Sequence, residues 1–105
     1  MVTRYEGRDD CALVVDGEYI IVEHRESPAS DLRVRQSSIT GVHFEPATRF
    51  VSGIITIAVD GAALVVPTGN SVGSDPNTVV FRHKSNDTFF GVQAWLRQLV
   101  AENRD

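Results

Sequence analysis

Few side chains in this sequence combine the type and the spacing that chemistry requires. The three histidines, His24, His43 and His83, lie far apart, and no second histidine or cysteine stands at ligand spacing from any of them. A zinc site needs three or four convergent ligands, which short paired spacings normally supply. We therefore expect ordinary histidines at the surface or the edge of the core, and no metal ion or other cofactor.

Nucleophilic catalysis has equally little support. A serine nucleophile needs a base within hydrogen-bond reach, and the G-x-S-x-G pattern is absent. Segment 69–73 (GNSVG) contains glycine but lacks the Lys-Ser/Thr pair of a phosphate-binding loop. Carboxylates such as Asp9 and Asp10 are expected to be solvated surface charges. The sequence predicts that the protein is not an enzyme.

Length and composition favour one globular domain. The chain has 105 residues, of which 42% are hydrophobic and 23% charged. No apolar run approaches the roughly 20 residues that span a bilayer. Segment 1–10 lacks the apolar core of a signal peptide, so a cytoplasmic protein is expected. Cys11, the single cysteine, excludes an internal disulfide and is expected to be a small buried hydrophobe.

Charge offers little guide to partners. The formal net charge is −4, and the nine arginines and one lysine are spread along the chain. Neither the sign nor the distribution favours nucleic acid or an anionic membrane as the main partner.

The elements that must position any site are short strands. Segment 11–25 predicts two strands joined by a tight turn at Asp16-Gly17, and Asp60-Gly61 predicts a second such turn between strand 53–59 and a further short strand. The remaining predicted strands lie in segments 32–36, 42–45 and 78–84. Gly41 indicates a bulge or a close backbone contact.

The C-terminal segment changes to helical spacing. A helix is predicted from about residue 88 to 102, with an apolar stripe formed by Phe89, Val92, Trp95, Leu96, Leu99 and Val100. We predict a mainly β fold with one C-terminal α-helix, in which the helix caps a partial barrel and Trp95 is core. The domain is expected to span residues 11–102, with a loose polar lead-in at 1–10 and a tail at 103–105.

Several segments, taken in order, resemble one known family. They are VVDGEYIIVEH, SSITGVHFEPA, GIITIAVDG and DPNTVVFRHKSNDTFFGVQAWL. The sequence resembles an uncharacterised bacterial domain family of the pleckstrin-homology-like superfamily over about residues 8–102. The resemblance implies two near-orthogonal antiparallel sheets capped by a helix, and it supplies no catalytic residue.

The same resemblance bears on lipids. Classical lipid-binding members of the superfamily hold inositol phosphates with Lys and Arg beside the first loop between strands. Matched to Asp16-Gly17-Glu18, that loop is acidic here and would repel a phosphate headgroup. Phosphoinositide binding at the usual site is therefore not expected.

The preferred hypothesis is a non-catalytic protein-interaction or self-assembly module. The alternatives are peripheral binding to a lipid or membrane surface at a non-standard site, and an enzyme whose site is assembled only by folding. The predicted partner surface contains Arg33, Arg35, Arg49 and Phe50, near an exposed strand edge in segment 31–36 or in the connector 47–52. Arg25 is expected beside Arg33 and Arg35, across the Ser-Pro loop that precedes them. The competing interpretation of Arg33 and Arg35 is a solvated outer face of a sheet.

Overall fold

Seven strands and one helix make up the regular structure of the computed structural model, which describes residues 2–8, 11–24, 31–68 and 75–104. The mainly β class with a C-terminal helix, predicted from the sequence, is confirmed. In chain order the elements are β1 Val2–Glu6, β2 Cys11–Asp16, β3 Tyr19–His24, β4 Leu32–Arg35, β5 Ile39–Glu45, β6 Gly53–Val59, β7 Thr78–Phe81 and α1 Asn86–Asn103.

The first four strands form one antiparallel sheet in the order β1-β2-β3-β4. Leu13, Ile20 and Val22 point into the core from its inner face. On the outer face Arg4 of β1 reaches across β2 to Glu23 of β3 and also bonds to Glu6. The hydrogen bonds to Glu6 and then Glu23 raise the pKa of Arg4, and the bond to Glu23 links β1 to β3 across β2.

The last three strands form a second antiparallel sheet, β5-β6-β7, with β6 in the centre. Residues 53–58 of β6 are all buried, as expected for a strand covered on both faces. The hydroxyl groups of Thr56 and Thr78 hydrogen-bond to each other at 2.7 Å inside this sheet. The register shifts between Ile39 and Gly41, which confirms the predicted bulge.

Helix α1 closes the core that both sheets share. Its buried residues are Phe89, Val92, Leu96, Leu99 and Val100. The ring of Phe89 stacks on Phe81 of β7, with centroids 4.4 Å apart and planes at 5°. Trp95 is only partly buried and packs at the edge of the core, so its predicted place inside the core is wrong. It lies beside Thr3 and Tyr5 of β1, an element that the sequence prediction lacked.

Both predicted Asp-Gly turns are present. Gly17 has φ +60° and Gly61 has φ +76°, and Asp60 also adopts a left-handed φ of +53°. Positive φ at both central residues, the geometry that Asp-Gly favours in a tight turn, is present at Asp60-Gly61 only. In the first turn Asp16 stays in β2 and pairs with Tyr19, so the central residues are Gly17 and Glu18, and only Gly17 has positive φ.

Two predicted segments differ from the structure. The prediction of a loose lead-in is wrong for residues 2–6, which form β1 and pair with β2 along its length. The prediction of a short strand after Gly61 is also wrong, because residues 62–68 form no strand. Strand β6 already pairs with β5 on one side and β7 on the other, so no edge remains for the returning segment.

Candidate functional site

A cleft of about 400 Å³ lies where the end of β1, the β5–β6 loop and the start of α1 meet. We call it the basic cleft. It is lined by Arg8, Thr48, Arg49, Phe50, Val51, Ser52, Arg82, His83 and Lys84. The lining includes three arginines and one lysine, and none of the described lining residues is a carboxylate.

The β5–β6 loop holds a fixed turn at the rim of the cleft. The Thr48 hydroxyl accepts hydrogen bonds from the backbone N–H groups of Phe50 at 3.2 Å and Val51 at 2.9 Å. The Thr48 N–H donates to the Val51 carbonyl at 2.8 Å. Threonine side chains commonly close such turns on their own backbone. The turn projects Phe50, 95% exposed, and Val51, 66% exposed, into solvent.

Arg8 enters the cleft because β1 ends directly against β7. The Arg8 N–H donates to the Val80 carbonyl at 2.7 Å. A Cβ on Gly7 would lie 2.3 Å from that same carbonyl oxygen, so only glycine permits this approach. The Cys11 thiol donates to the Arg8 carbonyl at 2.9 Å, and the Arg8 guanidinium donates to the Ser52 hydroxyl at 2.5 Å. This contact ties the first sheet to the β5–β6 loop.

The first residue of α1 anchors the other end of that loop. The Asn86 side chain accepts a hydrogen bond from the Ala47 N–H at 2.9 Å and donates one to the Ala47 carbonyl at 2.8 Å. A short 3-10 turn, His83–Ser85, leads into the helix. It places the three consecutive basic residues 82–84 beside the loop.

The residues that line the basic cleft are of types that can bind negative charge next to an apolar contact. Arginine guanidinium groups bind carboxylates and phosphates with paired hydrogen bonds, and a lysine adds a point charge. The two hydroxyl groups in the lining, from Thr48 and Ser52, are already engaged in the hydrogen bonds that shape the loop. An exposed aromatic at the rim of a polar site is a common contact residue in protein interfaces.

The four predicted partner residues fall on two separate surfaces. Arg49 and Phe50 line the basic cleft. Arg33 and Arg35 lie on the outer face of β4, with their guanidinium carbons 4.3 Å and 5.7 Å from the centroid of the Tyr19 ring. Because β4 and β1 are opposite edges of one sheet, and the cleft adjoins the end of β1, these two pairs do not form one surface. The predicted strand edge at 31–36 is present, and the predicted neighbour Arg25 lies outside the described residues.

Sequence reasoning missed Arg8, Arg82 and Lys84. The run Arg82-His83-Lys84 is the one place where three basic residues follow each other, and it was a usable signal. Arg8 lies in segment 1–10, for which the sequence predicts a loose lead-in and no functional residue. Asp9 and Asp10 follow Arg8 in the sequence and lie outside the described residues.

Strand β1, which the sequence prediction lacked, also bears on the prediction about lipids. Residues 16–18 connect β2 with β3 and are the second loop of the first sheet. The first loop connects β1 with β2 and includes Arg8. The match of residues 16–18 to the first loop between strands is therefore wrong. The absence of phosphoinositide binding at the usual site stays a prediction.

The three histidines occupy unrelated positions. His24 is buried at the end of β3, where neither ring nitrogen has a hydrogen-bond partner among the described residues. His43 lies 2.8 Å from a carboxylate oxygen of Glu45, and His83 lines the basic cleft. In the part of the chain that the structure describes, no three His, Cys, Asp or Glu side chains converge to hold a metal ion. No helix among the described residues is both long enough and apolar enough to cross a membrane.

Comparisons with protein-family models, with curated proteins and with solved structures find no match to this chain.

Proposed function

We propose that this chain is a non-catalytic protein-interaction module of the pleckstrin-homology-like type, and that its basic cleft binds an acidic segment of a partner protein. The observation that carries the proposal is the cleft itself, where four cationic side chains from three separate chain segments meet beside an exposed Phe50. The order of four strands, three strands and a final helix supports the assignment of type, because the resemblance in the sequence implies two antiparallel sheets and one C-terminal helix.

A partner with negative charge is favoured by complementarity. Burying several positive charges against a neutral surface would remove their hydration and offer no compensating interaction. Carboxylates of a partner would compensate for the lost hydration with charge-assisted hydrogen bonds. Phe50 would supply the apolar anchor, because truncating a central aromatic often costs more than truncating the polar contacts around it.

The hydroxyl groups in the cleft support a binding role over catalysis. Ser52 accepts from Arg8, and Thr48 accepts from two backbone N–H groups, so both oxygens serve the shape of the loop. A catalytic serine or threonine instead needs its hydroxyl directed to a base.

The test compares two double charge reversals with photo-crosslinking in the source cells. A photo-reactive phenylalanine analogue at position 50 is crosslinked in the wild-type background, in Arg49→Glu with Lys84→Glu, and in Arg33→Glu with Arg35→Glu. Both variants change the net charge equally. We expect the crosslinked protein partner to disappear in the cleft variant and to persist in the β4 variant. Retention of the same partner in the folded cleft variant would refute the proposal.

A second candidate function is attachment to an anionic membrane surface. The observation in its favour is the exposed pair Phe50 and Val51 at the tip of a fixed turn beside cationic side chains, an arrangement that combines apolar insertion with attraction to negative headgroups. Sedimentation with vesicles containing phosphatidylserine separates the two candidates. Salt-sensitive binding that Phe50→Ser abolishes, without any crosslinked protein, would replace the first proposal with this one.

A further inference from the structure

Residues 62–66 form an apolar segment that the fold leaves without a sheet partner. Its sequence, Ala-Ala-Leu-Val-Val, has the composition of a strand, and it follows the tight turn at Asp60-Gly61. The Ala62 N–H donates to the Val59 carbonyl at 3.0 Å, which closes the turn. Beyond that bond, the backbone of residues 63–66 makes no hydrogen bond within the described part of the chain.

This segment is exposed as well as unpaired. Leu64 is 39% exposed and Val65 is 65% exposed, while Pro67 is buried and holds the far end of the segment against the protein. Unpaired backbone groups beside exposed apolar side chains are the features to which another strand adds.

A groove of about 420 Å³ runs beside the segment and has a different character from the basic cleft. Its apolar part comes from Val42 of β5, Leu64, and Val100 and Ala101 of α1. Thr40 and Gly41 at the β5 bulge complete the inner side. Two cationic residues of the last helical turns, Arg97 and Arg104, also line the groove, and none of its described lining residues is a carboxylate.

We propose that residues 62–66 and this groove form a second docking site, which takes an extended acidic peptide of a partner protein as an added strand. The peptide backbone would pair with residues 63–66. Its alternate side chains would then point to opposite sides, so apolar ones rest on Val42 and Leu64 while acidic ones reach Arg97 and Arg104.

Charge decides between this occupant and a second copy of the chain. Two copies pairing through the same segment about a two-fold axis would bring two Arg97 and two Arg104 side chains to one interface. The segment itself carries no acidic residue to compensate them. An acidic peptide satisfies both the unpaired backbone and the arginines, so it is the occupant that fits. The site is independent of the basic cleft and of the function proposed for it.

The test uses a fluorescent peptide of about eight residues that alternates valine and glutamate, long enough to span the segment at about 3.3 Å per residue. Its control alternates valine and lysine. We expect the acidic peptide to bind the full chain, to shift the amide resonances of residues 63–66, and to slow their hydrogen exchange. Arg97→Gln with Arg104→Gln should weaken binding by about tenfold, since two ion pairs are lost. The matched control, Arg33→Gln with Arg35→Gln on the outer face of β4, removes two positive charges outside both sites and should leave the affinity unchanged.

Each other outcome overturns the proposal. One such outcome is no binding of the acidic peptide up to about 1 mM, which corresponds to about −4 kcal/mol. Another is equal binding of the lysine peptide. The remaining two are resonance shifts confined to the basic cleft and an unchanged affinity in Arg97→Gln with Arg104→Gln. A doubled mass in light scattering that Leu64→Glu returns to the monomer value would assign the segment to a second copy of the chain instead.

Discussion

Asn86→Ala should both destabilise the protein and loosen the β5–β6 loop of the basic cleft. The side chain of Asn86 makes two hydrogen bonds to the backbone of Ala47, at 2.9 Å and 2.8 Å. Ala47 is buried, so its N–H and C=O would lose partners that water replaces poorly. At about 1 kcal/mol net for each bond, the loss is about 2 kcal/mol. For a domain near 100 residues this lowers the melting temperature by about 10 °C.

The chain offers a matched control at the other end of the same helix. Asn103 donates to the carbonyl groups of Gln36 and Ile39, both at 2.8 Å, so Asn103→Ala also removes two side-chain to backbone bonds. Both variants should melt at similar temperatures. Hydrogen exchange at the amides of Thr48 and Val51 should accelerate in Asn86→Ala alone. Unchanged exchange at these amides in a destabilised Asn86→Ala would refute the claim that this residue anchors the loop.

Three further predictions concern the core, a turn and a buried hydroxyl pair. Phe89→Ala should cost about 3–5 kcal/mol in chemical denaturation and Trp95→Ala about half of that, because only the first ring is fully buried; equal costs would contradict the observed burial. Gly61→Val should lower the free energy of unfolding by about 1–2 kcal/mol, because a β-branched residue is strained at φ +76°; a neutral result by urea denaturation would argue against the left-handed turn. Thr78→Val should lower the free energy of unfolding more than Thr56→Val, because it leaves the buried Thr56 hydroxyl without its partner. In Thr56→Val the Thr78 hydroxyl can still donate to the Asp75 carboxylate. The reverse order in thermal melts would contradict this reasoning.

The basic cleft shows which contact residues the sequence can predict and which it cannot. Arg49 and Phe50 are predicted as contact residues because they lie in a connector beside a possible strand edge, where an exposed aromatic near polar residues often marks a contact site. Nothing in their neighbourhood indicates that Arg8 and Lys84, more than thirty residues away on either side, share one cleft with them. Their meeting depends on the approach of β1 to β7 through Gly7, which is a contact between the two sheets.

The sequence by itself determined the elements whose causes are local. The Asp-Gly turns form because a few residues select positive φ, and α1 follows its apolar stripe with an error of about one or two residues at each end. Tertiary structure decided which strand-like segments pair. Residues 2–6 joined the sheet because β2 offered a free edge, whereas residues 62–66, more apolar, found both edges of β6 already occupied. Strand propensity is a property of a segment, but a ladder requires a free edge, and only the whole fold determines where one remains.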